Sequence, residues 1–142
     1  MAKIDPPPIY EPISGSDGKA SLPWILFFNR IFTGDTGTSW TPTFTNLTIT
    51  GTPTITGVYY KIGPLCFFRI TITPATDTSA TAGSTYVNNF PLTMSAPGFC
   101  IPVSGLLGGG TGMCDAATNR IYPPSWSAVT VPLYILGLVE AS

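Results

Sequence analysis

Histidine is absent from this 142-residue chain, and its absence removes the Ser-His-Asp and Cys-His designs of nucleophilic catalysis. Acid–base work would fall to seven Asp and Glu residues. None of Asp35, Asp77, Asp115 or Glu140 lies in a local motif that pairs it with another, so glycoside cleavage would need the fold to bring two together. The expectation is a protein that is not an enzyme and carries no cofactor.

Charge of either sign is also scarce. Only 9% of residues are charged, against about 25% in an average soluble domain. A net charge of −1 with six scattered Lys and Arg residues provides no clustered patch for phosphates, so no nucleic-acid partner is expected. Long apolar runs are missing too. The stretch from Trp24 to Phe32 is under half of the ~20 residues a spanning helix needs, and the run from Val129 to Val139 is broken by Pro132 and Gly137. No membrane partner is expected, and the amino terminus shows no cationic region or cleavage site of a secretory signal.

Cysteine is sparse and unpatterned. Cys66, Cys100 and Cys114 are odd in number and form no C-x-x-C spacing, which suits small buried hydrophobes in a reducing cytoplasm. Three thiols without any His also fall one ligand short of a closed zinc site. Asn46-Leu47-Thr48 matches a glycosylation acceptor, but without a secretory signal the match carries little.

What is abundant is Thr, Gly and Pro, with 15 each of Gly and Pro. Residues 1–21, with Pro6, Pro7, Pro8 and Pro12 followed by Ser14-Gly15-Ser16-Asp17-Gly18, read as an extended arm. Ile4, Ile9, Tyr10 and Ile13 are its candidate anchors on a neighbouring subunit, the alternative being a disordered terminus. Residues 22–33 predict the one helix, capped by Ser21 and stopped by Gly34. Trp24, Phe27, Phe28 and Ile31 recur on it at i, i+3, i+4 and i+7, either as core or as an inter-subunit contact.

Residues 40–142 predict a β domain. Gly63-Pro64 turns the chain between Gly57–Ile62 and Leu65–Thr73, the pattern of a hairpin with one buried face. Thr43 to Thr56 and Thr85 to Met94 read as strand regions interrupted by prolines. A short apolar stretch is expected after Pro97-Gly98, and Leu107 to Gly112 is expected to be a flexible loop. Ser127 to Glu140 reads as one last strand, with Val129, Val131, Leu133, Ile135 and Val139 on one face and Ala128, Tyr134, Leu136 and Leu138 on the other.

A strand apolar on both faces needs cover on both, which another subunit often provides. Val129, Val131, Leu133, Tyr134, Ile135 and Leu136 are therefore the expected oligomer interface. The scarcity of surface charge points the same way. Trp40, Tyr122 and Trp126 are candidates for stacking on a glycan, although core or interface is the commoner fate of such rings.

Trp40-Thr41-Pro42-Thr43-Phe44-Thr45, Gly57-x-Tyr59-Tyr60-Lys61-Ile62-Gly63-x-Leu65, Phe68-x-Ile70-x-Ile72 and Asn89-Phe90-Pro91-Leu92 together resemble the pattern of small β-domains in tailed-bacteriophage fibres, appendages and head-decoration proteins. Asn89-Phe90 stands where Gly-Leu is usual, and Pro64 and Cys66 are departures in the strand after Gly63. The resemblance implies an all-β, antiparallel sandwich or jelly-roll-like module of a virion, homotrimeric and assembled in the host cytoplasm. Residues 1–33 would attach it to a tail adaptor, the portal region or the major capsid protein. A short tail fibre or appendage component is the first expectation; a capsid cement or decoration protein and a carbohydrate-binding host-attachment module are the alternatives.

Overall fold

The computed structural model describes residues 37–103 and 110–142. The expected arm and helix, with Ile4, Ile9, Tyr10, Ile13, Trp24, Phe27, Phe28 and Ile31, lie outside the described residues. Ser39–Ser142 make up one compact unit. Its described residues form twelve strands and no helix: β1 (Thr38–Trp40), β2 (Phe44–Thr45), β3 (Thr48–Thr50), β4 (Thr54–Ile62), β5 (Leu65–Thr73), β6 (Asp77–Ala80), β7 (Tyr86–Val87), β8 (Met94–Val103), β9 (Gly112–Asp115), β10 (Arg120–Tyr122), β11 (Trp126–Val129) and β12 (Leu133–Ala141). The domain is all-β and mostly antiparallel.

β4 and β5 form the expected hairpin, pairing in register from Thr54↔Thr73 to Ile62↔Leu65. Gly63 takes φ +60°. Proline cannot follow it into the left-handed region, so the two-residue loop is of the II′ kind, whose twist matches that of the strands it joins. The carboxy-terminal strand β12 then inserts between β5 and β8, and the larger sheet runs β1-β4-β5-β12-β8-β9-β10-β7-β2. A smaller sheet has the order β11-β6-β3.

The larger sheet curls like half a barrel, and its inner face carries Cys66, Phe68, Ile70 and Ile72 of β5 beside Leu133, Ile135 and Val139 of β12, all at 2% exposure or less. Ala80, Trp126 and Val129 of the smaller sheet join the same buried cluster. One core thus serves both sheets, as period-two alternation requires.

Two local expectations, the single last strand and the place of Gly112, are corrected. The single last strand is two, parted at Thr130-Val131-Pro132: β11 pairs with β6 and β12 with β5 and β8. Pro132 has no N–H for a ladder, so a change of sheet at that point costs no hydrogen bond. The apolar stretch after Pro97-Gly98 is the second half of β8, which runs through that pair, with register shifts against β12 around Glu140. The interruption expected between Thr85 and Met94 is present: Tyr86–Val87 pairs as β7, and β8 begins at Met94, beyond Pro91. Gly112 belongs to β9 rather than to a loop.

Candidate interaction face

In a sheet with one wetted side, the residues between the buried positions are normally polar. Here they are not. On β5 the outward positions begin Leu65 and Phe67; on β4 they include Val58, Tyr60 and Ile62; on β8 they are Phe99, Ile101 and Val103; on β12 they are Tyr134, Leu136 and Leu138. Among the described residues, all the exposed large hydrophobic side chains except Ile49 lie on this outer face of the nine-stranded sheet.

Register arranges them in rows across the strands. Tyr60, Phe67, Leu138, Phe99 and Met113 stand level across β4, β5, β12, β8 and β9. The next row is Val58, Arg69, Leu136 and Ile101, and the one after it ends in Tyr134 and Val103. Phe67 is 44% exposed, Phe99 49% and Met113 52%. At about 200 Å² for a large side chain the open surface of the patch is on the order of 800 Å², above the 300–600 Å² of the largest patch on a typical monomer. A depression of about 300 Å³ lies within it, lined by Tyr60, Phe67, Arg69, Leu136 and Gly137. Arg69 and Glu140 are the charged residues among the outward positions of β5 and β12.

A second concavity, about 480 Å³, opens beside β9 and β10 and is lined in part by Gly112, Met113, Asp115, Tyr122, Pro123 and Pro124. The Arg120 guanidinium carbon sits 4.3 Å above the Tyr86 ring, and Tyr86 lies 5.4 Å from Tyr122 between centroids. Asp115 is held below the usual carboxylate range by the Thr118 hydroxyl (2.6 Å) and the Ala117 N–H (3.0 Å). The Tyr122 hydroxyl is lowered by Arg120 and Thr118.

The predicted interface residues divide. Tyr134 and Leu136 are on the exposed face, and Val131 is partly buried against the core. Val129, Leu133 and Ile135 correct the expectation: they are buried in the chain's own core, at 4%, 0% and 0% exposure. Leu133 and Ile135 alternate with Tyr134 and Leu136 along β12 and so face inward, while Val129 turns to the same core from β11 of the smaller sheet. Ile62, Leu65, Phe67, Phe99, Ile101, Val103 and Met113 went unassigned by sequence reasoning, although Leu65–Phe68 and Phe99–Val103 are apolar at both parities.

The glycan-stacking candidates divide as well. Trp126 is 4% exposed and donates its indole N–H to the Thr78 carbonyl at 3.2 Å, so its faces are covered. Trp40 packs edge-on against Tyr59 and Phe90 at 6.0 and 5.6 Å. Its ring also covers Gly57, where an added Cβ would lie 2.6 Å from the indole. Tyr122 is half-buried and lines the second concavity.

Trp40, Gly57, Tyr59, Phe68 and Phe90 of the quoted motifs therefore share one packing unit. Asn89 completes it, accepting from the Thr43 N–H (2.8 Å) and donating to the Thr41 carbonyl (2.8 Å) around Pro42. Among the described residues no group of three or more His, Cys, Asp or Glu is placed to hold a metal, and no helix is long and apolar enough to cross a membrane. Cys66, Cys100 and Cys114 are buried free thiols. Comparison with protein-family models, with curated proteins and with solved structures finds no match.

Proposed function

We propose that this chain is a non-enzymatic structural subunit of a tailed-bacteriophage particle, a short tail-fibre or appendage component that works by protein–protein contact. The observation that carries the reading is the outer face of the nine-stranded sheet, whose open apolar rows have the area one partner contributes to a standard interface, about 800 Å². In a chain with only 9% charged residues, cover on that face is what keeps the apolar rows from water.

The resemblance at Trp40–Thr45, Gly57–Leu65 and Asn89–Leu92 supports the virion setting. Two unequal sheets around one core are a form that the expected sandwich or jelly-roll-like module takes. In this reading residues 1–33 attach the domain to the particle, through the tail adaptor or portal region, and the β domain projects.

The test is peptide mass spectrometry of density-purified particles from a lysate in which the chain is expressed. Enrichment with the particles at the low copy number of a tail organ is the expected result. Recovery only in the soluble fraction would overturn the reading, and hundreds of copies per particle would replace the appendage with a capsid decoration protein.

A further inference from the structure

We infer that the concavity beside β9 and β10 is a binding site for an extended, proline-rich peptide of another molecule, one that carries a Lys or Arg close to its prolines. The inference goes beyond the proposed function, because it concerns a second surface and holds whether or not the chain belongs to a particle.

The walls of the site are apolar and fixed. Pro123 and Pro124 follow β10 directly, line the concavity and are buried. Tyr122 and Met113, level with each other across the β9–β10 ladder, add an aromatic ring and a thioether. Gly110 takes φ +119°, and an added Cβ would lie 2.9 Å from Pro124, so that segment can rest against the proline only as glycine. At the rim the Ala82 N–H donates to the Ser125 hydroxyl at 2.7 Å, which holds the Ala82-Gly83 turn to the segment after Pro124. The volume of about 480 Å³ is that of a ligand pocket, and its shape is set before anything binds.

The lining selects the ligand. An added β-strand needs an open ladder edge, but at Met113 and Cys114 β9 is paired on both sides, with β8 and with β10. A sugar needs several side-chain donors and acceptors around its hydroxyls. This lining offers one carboxylate, Asp115, and the hydroxyls of Thr111 and Tyr122 among prolines, glycines, Ala82 and Met113. A polyproline II segment asks for neither. It uses no ladder, its carbonyls stay open to donors, and its rings pack on aromatic and proline surfaces. The Tyr122 hydroxyl accepts from the Arg120 guanidinium at 3.4 Å, which leaves its own proton to donate to a peptide carbonyl.

Charge selects the residue beside the prolines. The Thr118 hydroxyl and the Ala117 N–H hold the Asp115 carboxylate at 2.6 and 3.0 Å. Arg120, level with Asp115 on β10, sits over the Tyr86 ring at 4.3 Å. The carboxylate in the lining therefore suits a Lys or Arg brought by the peptide. The sequence Lys3 to Ile13, with Pro6-Pro7-Pro8, has this composition and supplies a probe. In a free polyproline II peptide residues three apart share an edge, which puts its lysine beside its first proline.

The test is an amide NMR titration of the full chain with a synthetic Lys3-to-Ile13 peptide, against the same peptide with alanine in place of Pro6, Pro7 and Pro8. It is run on the wild type and on a chain carrying Pro6→Ala, Pro7→Ala and Pro8→Ala, so that the chain's own prolines cannot compete. Saturable shifts at Gly83, Gly112, Met113 and Tyr122 are expected, with binding of the alanine peptide about tenfold weaker or more. Tyr122→Ala should weaken binding by at least about tenfold. Asp115→Asn, which keeps an acceptor for the Ala117 N–H, should weaken it less and flatten its dependence on salt. No shift in either chain at millimolar peptide would overturn the inference, as would equal binding of the alanine peptide or shifts confined to Tyr60, Phe67 and Phe99. An unchanged salt dependence in Asp115→Asn would overturn the requirement for a basic residue. None of these outcomes depends on whether the chain is found in purified particles, so this inference and the proposed function fail separately.

Discussion

A methyl group on Gly137 would collide with the Phe68 ring, which lies across it from the neighbouring strand. The glycine is the space in which that ring packs, and Gly137→Ala should cost about 1–3 kcal/mol by overpacking. A urea melt would read the loss as a lower midpoint at constant slope. The opposite sign is expected at Thr78. It is fully buried, and its hydroxyl has no hydrogen-bond partner among the described residues. Thr78→Val keeps the shape and removes an unpaired polar group, so it should stabilise the domain by about 1 kcal/mol in the same melt. The buried thiols add a pH dependence. Burial pushes Cys66 up to about 11 from 9.0, and Cys114 is raised by its hydrogen bond with Cys100 and by burial. A folded-state value above the unfolded one means the unfolded chain loses its proton first. The stabilisation is complete below pH 9 and falls as pH rises towards about 11. Denaturant midpoints across that window should drop, while all three thiols resist a thiol reagent at pH 8 until the chain unfolds.

At the scale of elements, the short strands are held by side chains as much as by ladders. Asn119 takes φ +55° at the end of the β9–β10 turn. Its side chain accepts from the Met94 N–H (2.8 Å) and donates to the Leu92 carbonyl (3.0 Å), tying that turn to the start of β8. Asn119→Ala loses both bonds and the left-handed preference, and should cost about 1–3 kcal/mol. Amide hydrogen exchange should show the loss first at β9 and β10. Such ties explain what the sequence concealed. The β4–β5 hairpin was legible because Gly63-Pro64 admits few turns and the flanking alternation is long. β7, β9 and β10 were not, because strands of two to four residues have too few positions to show a period, and the turn between β9 and β10 is held by the side chains of Asn119 and Asp115. The exposed apolar face was half legible. Apolar residues at both parities of β12 were plain, but periodicity does not say which parity faces the core. That choice is made by the long-range pairing of β12 with β5 and β8, which places Leu133 and Ile135 inside and leaves Tyr134 and Leu136 out.

At the scale of the whole molecule, one domain has to reconcile a core closed by its own strands with an outer face that is nearly as apolar. If three chains share that face, folding and assembly are linked by mass action. For three unfolded chains in equilibrium with one folded trimer, a tenfold rise in concentration adds about 0.9 kcal/mol per chain, or roughly 3–6 °C in midpoint for a domain near 100 residues. Heat melts at 2 and 20 micromolar protein should therefore differ by that amount in the wild type. Phe67→Lys should lower the midpoint at both concentrations and remove most of the difference, because a lysine on the outward side of β5 leaves the inner packing of Cys66 and Phe68 untouched while placing a charge in the contact. Equal wild-type midpoints at both concentrations would mean that the folded domain is stable without its neighbours. The rows from Tyr60 to Met113 would then be left for a contact with a different protein.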